Sequence, residues 1–193
     1  IIKRFELGYC PESWDAFTNS AVEAGHDRKW LIAAGLTKDR DGSSFDFFRG
    51  RVMFPIRNIS GKCIAFGGRT LKADKKIAKY FNSPESPLYN KSKVLYGIYE
   101  GKQAMVKLDQ AYLVEGYTDV IAMHQAGVEN VVSSSGTSLT EGQIKLIKRY
   151  TQNITLLYDG DPAGIKASFR GIDLILEQSM NVKVVLFPDG DDP

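Results

Sequence analysis

The chain has 193 residues, of which 43% are hydrophobic and 25% charged, with a formal net charge of +2. That is the make-up of a soluble globular protein with one or two real cores. No apolar run approaches the roughly 20 residues a membrane helix needs, and the two cysteines, Cys10 and Cys63, are too few and too far apart for a zinc site, so both read as buried, reduced thiols.

The start, Ile1-Ile2-Lys3-Arg4, carries no signal-peptide pattern and no initiator Met. The end, Asp191-Asp192-Pro193, falls in mid-motif, so the chain reads as a piece cut from a longer protein. After Pro11-Glu12-Ser13, Trp14, Phe17 and Val22 recur at helical spacing, and Arg28 to Ala34 reads as a second short helix ending at Gly35. Residues 45–70 predict a hairpin. Arg49, Arg51, Met53 and Arg57 fall on one, exposed face, and Val52, Phe54 and Ile56 on the other. Asn58 to Gly61 is the turn, Lys62 to Phe66 the return strand, and Gly67-Gly68 a place where backbone could approach a ligand closely.

Residues 71–93 are basic and irregular. Tyr80, Phe81 and Tyr89 lie among the lysines, with Phe81 expected in the core, and Pro84 and Pro87 argue against a long helix. From about residue 97 the pattern changes to alternating strands and helices. Strands are expected at Ala111–Val114, Asn130–Ser133, Ile154–Tyr158 and Val182–Phe187. Helices are expected over Thr118–Ala126, Glu141–Arg149 and the stretch carrying Ile165, Phe169, Ile172 and Leu176. This order implies a parallel sheet with right-handed crossovers.

The net charge hides an asymmetry. Residues 47–107 hold 13 Lys+Arg against three Asp+Glu, a balance of +10, and the rest hold 12 against 20, a balance of −8. One region suits polyanions and the other suits cations. The acidic groups follow strands: Val114-Glu115-Gly116, Tyr158-Asp159-Gly160-Asp161 and Pro188-Asp189-Gly190-Asp191-Asp192. In an open parallel sheet these strand ends share the edge where ligands bind. Clustered carboxylates repel one another unless a cation compensates, and hard oxygen donors without Cys or His select Mg²⁺ or Mn²⁺. Such a set serves metal-assisted phosphoryl or nucleotidyl transfer. His26 and His124 share no motif with it and receive no role.

Glu115-Gly116-Tyr117-Thr118-Asp119-Val120 and Tyr158-Asp159-Gly160-Asp161-Pro162-Ala163-Gly164 resemble the two motifs of Toprim domains, in the form seen in bacterial DnaG-type primases. Arg49-Gly50-Arg51-Val52-Met53-Phe54-Pro55-Ile56, Ala65-Phe66-Gly67-Gly68-Arg69, Lys79-Tyr80-Phe81-Asn82-Ser83-Pro84-Glu85, Leu95-Tyr96-Gly97 and Phe5-Glu6-Leu7-Gly8-Tyr9 resemble further signatures of that family, in the same order along essentially the whole chain.

The resemblance implies an α/β fold. It places a Toprim domain, a mostly parallel sheet flanked by helices, over 108–193, after a mixed α+β basic subdomain over 1–107. It implies a primase, a DNA-directed RNA polymerase that makes short RNA primers during replication. Glu115, Asp159 and Asp161 would be catalytic metal ligands, with Asp192 a fourth, for two Mg²⁺ or Mn²⁺ ions. Asp119 would order the strand–helix loop rather than bind metal. Arg49, Arg51, Arg69, Lys79, Tyr80, Asn82 and Lys91 would bind nucleotide and template, while Lys72, Lys75 and Lys76 would be solvated.

Implied partners are a single-stranded DNA template, ribonucleoside triphosphates and, through a domain the sequence does not include, a replicative helicase. A monomer in the bacterial cytoplasm is expected. The rivals are a type IA topoisomerase or Toprim nuclease, a non-catalytic nucleic-acid-binding module, and a phage-type primase-helicase. No tyrosine sits in a recognisable topoisomerase motif, and a nuclease leaves the Lys79–Glu85 segment without a purpose.

Overall fold

The structure, a computed structural model, describes residues 1–40, 42–74, 76–136, 138–158 and 162–187. The chain divides into two compact units. One is Ile2–Ile56 with Cys63–Asn90, and the other is Ile1 and Arg57–Lys62 with Lys91–Pro193.

The first unit opens with α1 (Ile2–Phe5), β1 (Gly8–Cys10), α2 (Ala16–Glu23) and α3 (Arg28–Ala33). A hairpin of β2 (Thr37–Arg40) and β3 (Ser43–Asp46) follows, then β4 (Arg51–Arg57), β5 (Cys63–Thr70) and β6 (Tyr80–Asn82). Strands β1, β4, β5 and β6 form one sheet in that order, with β1 antiparallel to β4 and β6 antiparallel to β5.

The first turn of α2 has no partner of its own for its N–H groups. Asp46, buried at the end of β3, supplies one: its carboxylate accepts from the amides of Phe17 at 2.8 Å and Thr18 at 2.9 Å. The Thr18 hydroxyl also donates to Asp46, at 2.6 Å. Its proton being so used, the Thr37 hydroxyl 2.7 Å away must donate to Thr18. The core is aromatic and aliphatic, with Phe5, Leu31, Phe48, Phe54, Ile56 and Ala65 buried.

Neither cysteine matches the expected burial. Cys10 is half-buried and Cys63 exposed, and neither is in a disulfide. Cys63 begins β5 next to the turn, at a position where the strand's alternation faces water. Burial, aided by Asp46, pushes the Cys10 thiol up to about 11. Since the thiolate is the nucleophile, alkylation of Cys10 should rise about tenfold per pH unit up to that value. At pH 8 iodoacetamide should therefore label Cys63 first, as peptide mapping would read; equal labelling would count against the burial of Cys10.

The second unit holds a short 3₁₀ turn (Lys91–Lys93), then α4 (Ile98–Leu108), β7 (Ala111–Val114), α5 (Tyr117–Gln125), β8 (Val131–Ser133), α6 (Glu141–Ile147), β9 (Asn153–Tyr158), α7 (Pro162–Glu177) and β10 (Asn181–Leu186). The sheet runs β10-β9-β7-β8, and its pairs are parallel: β10 with β9, β9 with β7, β7 with β8.

Strands β7, β8 and β9 are buried along most of their length, as parallel strands covered by helices must be, while Asn181, Lys183 and Val185 of the edge strand β10 are exposed. Leu113, Val132, Ile154 and Leu156 meet Ile98 and Met105 of α4, Ile144 and Ile147 of α6, and Ile175 of α7 in one core. Thr140 begins α6 with its hydroxyl accepting from the Gln143 amide, and the Gln143 side chain accepts from the Thr140 amide. Helix α4 was not expected from the sequence. It packs Ile98 and Met105 into the core of this unit. The turn after β4 also counts with this unit: Arg57 and Glu100, both largely buried, form an ion pair at 3.0 Å, and Lys102 donates to the Ile59 carbonyl at 2.6 Å.

No helix among the described residues is long and apolar enough to cross a membrane.

Candidate active site

Glu115 is the residue after β7, at the carboxyl end of a central strand of the parallel sheet. Its hydrogen-bonded neighbour β9 ends at Tyr158, with Leu113 opposite Leu156 in register, and Asp159 follows Tyr158 in the sequence. Asp159, Asp161 and Asp192 lie outside the described residues, as do Asp189 and Asp191.

Glu115 is half-buried and lines a cavity of about 300 Å³ with Ser134, Ser138, Tyr158 and Arg170. The Tyr158 phenol is raised above its ordinary value, first by burial and then by the Glu115 carboxylate. The donors here are oxygens, the set that suits a hard divalent cation. Among the described residues, no group of three or more His, Cys, Asp or Glu side chains could hold a metal by itself. Asp119 has the role expected of it: its carboxylate accepts from the Gly116 amide at 2.7 Å and so fixes the turn that presents Glu115.

The basic side chains assigned to nucleic acid are sorted by the first unit's sheet. Arg69 pairs with Tyr80 and Gly67 with Asn82 across β5 and β6, so Arg69, Tyr80 and Asn82 share one short ladder, with Lys79 exposed just before it. The Arg69 guanidinium carbon lies 6.0 Å from the Tyr80 ring centroid and the Lys79 ammonium 5.9 Å from it, within cation–π range. Arg49 is half-buried, its guanidinium 4.0 Å above the Trp14 ring. With Lys72, Lys76 and Phe81 it lines a separate cavity of about 410 Å³. Lys91 belongs to the other unit, where its carbonyl accepts from the Gln143 side chain at 3.0 Å.

Three expectations are corrected. Arg51 does not lie on an exposed strand face: it is 3% exposed, and its guanidinium donates to the carbonyls of Gly68, Ala78 and Lys79 at 3.3, 2.9 and 3.2 Å. Phe81 is not in the core. It is 37% exposed, stacked on Phe47 at 5.6 Å and covered by the Arg51 guanidinium at 3.9 Å. Gly68 leaves room for protein rather than ligand, because a β-carbon there would sit 2.5 Å from the Phe48 ring. The cavity-lining roles of Ser134, Ser138 and Arg170 were not foreseen. The available sign for Ser134 was the Ser133-Ser134-Ser135-Gly136-Thr137 run at the end of β8, which Ser138 follows, whereas Arg170 sits in an ordinary amphipathic helix pattern.

Comparison with known proteins agrees with this geometry. The family described as DNA primase catalytic core, N-terminal domain, matches residues 1–102, and the family described as Toprim-like matches residues 112–193. Among curated proteins, the DNA primase of Halalkalibacterium halodurans is 48% identical over the whole chain, which covers 32% of that relative. The DNA primase of Escherichia coli is 41% identical, again over the whole chain and 34% of the relative. The chain thus spans about a third of the length of the curated relatives it matches.

Among solved structures, a DNA primase domain from Pseudomonas aeruginosa superposes with a TM-score of 0.88 at 41% identity, covering all of this chain and 61% of that one. A DnaG primase catalytic domain bound to ssDNA gives 0.89 at 40% identity, covering all of this chain and 63% of that one. The parallel sheet with its flanking helices is accordingly a Toprim domain preceded by an α+β region. Matched in order over both parts, the chain belongs to the DnaG-type DNA primase catalytic core family.

Proposed function

We propose that the chain supplies the nucleotidyl-transfer centre of a primase that builds short RNA primers from ribonucleoside triphosphates on a single-stranded DNA template. The observation that carries this is Glu115 at the carboxyl end of a parallel strand, beside the strand that Asp159 and Asp161 follow in the sequence. Identity above 40% to DNA primases along the full chain supports it.

Glu115, Asp159, Asp161 and Asp192 would hold two Mg²⁺ or Mn²⁺ ions, which when bound offset charge on the phosphates and favour ionisation of the attacking hydroxyl. In the reaction the 3′-hydroxyl oxygen of one nucleotide forms a bond to the α-phosphorus of the next. The bond from that phosphorus to the bridging oxygen of the β-phosphate breaks, pyrophosphate leaves with the electron pair, and the hydroxyl proton passes to solvent. No side chain need become a covalent nucleophile; the chain binds and orients.

Arg49, Arg69, Lys79 and Lys91 offset backbone phosphate charge, the Tyr80 ring offers a stacking face for an unpaired base, and the Asn82 amide can both donate and accept. Arg51, walled in by carbonyls, acts by holding the Lys79 segment in place rather than by touching nucleic acid. A replicative helicase as partner, action as a monomer and a cytoplasmic setting complete the reading.

Incubated with single-stranded DNA, the four ribonucleoside triphosphates and Mg²⁺, the full-length protein should yield short RNA, and chelation of the metal should stop it. Nicking of plasmid DNA with no RNA product would favour the nuclease or topoisomerase reading instead.

A further inference from the structure

We infer that Arg170, Ser134 and Ser138 form an anion subsite beside Glu115 that grips the β- and γ-phosphates of the incoming triphosphate and then the pyrophosphate it becomes. The inference rests on the nucleotidyl-transfer reading above and adds to it residues given no part there.

The cavity that holds Glu115 is not lined by carboxylate alone. Ser134, buried at the tip of β8, Ser138, exposed on the loop that follows, and Arg170 on α7 face the same space. Gly171, next to Arg170, lets α7 sit close: a β-carbon there would lie 3.2 Å from Leu156 of β9 and 3.6 Å from Leu139 of the loop. The helix therefore presents its arginine at the strand-end rim rather than standing off from it.

Arg170 makes no hydrogen bond or ion pair with any described residue, so its five donors are not committed to holding the fold. At about 300 Å³ the cavity is at the small end of ligand pockets. Among the described residues, the Glu115 carboxylate, the Arg170 guanidinium and the hydroxyls of Ser134, Ser138 and Tyr158 line it beside Leu139, Ala167 and Leu174.

A bare anion would be repelled by Glu115 and a bare cation by Arg170. A phosphate group accompanied by a divalent cation satisfies both, with the cation on the carboxylate side and the phosphate oxygens on the guanidinium and hydroxyl side. Arg fits that task because its planar fork can hold two phosphate oxygens at once. As the bond to the bridging oxygen breaks, negative charge grows on the departing pyrophosphate, and a guanidinium already in place is stabilising there.

The test uses the full-length protein and the variants Arg170→Ala, Arg170→Lys and the double change Ser134→Ala with Ser138→Ala. Three quantities are measured: KM for ribonucleoside triphosphate, inhibition by inorganic pyrophosphate, and affinity for single-stranded DNA. Arg170→Ala should raise both the KM and the pyrophosphate inhibition constant by about tenfold or more, the scale of a lost charge-assisted hydrogen bond. Arg170→Lys should recover part of the loss, the serine pair should lose less than Arg170→Ala, and affinity for single-stranded DNA should not change.

Unchanged KM and pyrophosphate inhibition in Arg170→Ala, or an equal fall in DNA affinity, would overturn the subsite. Should the unaltered protein make no RNA at all, the primase reading fails while the subsite remains testable, because calorimetry with inorganic pyrophosphate and Mg²⁺ alone should still separate it from Arg170→Ala. Equal pyrophosphate binding by the two proteins would then reject the subsite on its own.

Discussion

Replacing Glu115 with Gln should abolish primer synthesis while leaving the fold intact. Glutamine keeps the length and the hydrogen-bonding oxygen of the side chain but removes the charge that a divalent cation needs. Loss of one preorganised electrostatic partner of a transition state costs about 100-fold or more in rate, and RNA yield should fall at least that far. Stability should not fall with it. Glu115 follows a strand whose Leu113 and Val114 are fully buried and untouched by the change. In the proposed site, where Asp159 and Asp161 share the cation with Glu115, a neutral side chain also relieves repulsion when no cation is bound.

Two measurements together decide the matter. Primer yield on single-stranded DNA should drop, and the thermal midpoint without metal should stay level or rise. Mn²⁺ should raise the midpoint of the unaltered protein more than that of the variant, because a ligand that binds only the folded state stabilises it. RNA yield from Glu115→Gln equal to that of the unaltered protein would remove the metal centre from the account.

The parallel sheet was legible because strands covered on both faces leave continuous apolar runs, and the first three runs are each followed by turn residues and then by a helical pattern. Strand β7 was read with its observed bounds, and the other three to within a residue at each end. Helix α4 was less legible. Its buried positions Ile98, Gly101 and Met105 include a glycine, which reads as a breaker. In the structure that glycine is needed, since a β-carbon at Gly101 would lie 2.7 Å from the Glu129 carbonyl. The reason is a tertiary contact with residues far along the chain, which no local pattern reports.

The basic sheet shows the same limit in another form. Alternation along β4 correctly places Phe54 and Ile56 inside. It sends Arg51 outside, because alternation alone assumes that a charged side chain has no buried partners. Three carbonyls from β5 and the segment before β6 provide them, and nothing in the sequence marks a carbonyl as available. Once Arg51 is inside, Phe81 is displaced outward, where it stacks on Phe47 beneath the guanidinium.

Arg51→Ala should therefore act on stability first and on DNA binding only as a consequence. Hydrogen bonds from a charged donor contribute about 1.5–3 kcal/mol each and are not additive. The Lys79 carbonyl keeps the Thr70 amide at 3.0 Å, but the Ala78 and Gly68 carbonyls lose the guanidinium and the cover over Phe81 is removed, so the variant should lose about 3 kcal/mol. Arg51→Lys keeps the charge but replaces a planar fork with a single ammonium on a longer, looser stem. It can reach one carbonyl well, so it should lose about 2 kcal/mol.

Arg49→Ala is the contrast. Arg49 is half-buried over Trp14, a cation–π contact of about 0.5–1 kcal/mol, so its removal should cost little stability and weaken single-stranded DNA binding directly. Urea midpoints for the three variants, read beside DNA affinity corrected for the folded fraction, separate these roles. If Arg51→Ala unfolds at the urea concentration of the unaltered protein while its DNA affinity falls, the guanidinium is a phosphate contact after all. The carbonyl cage around it would then be incidental to what the residue does.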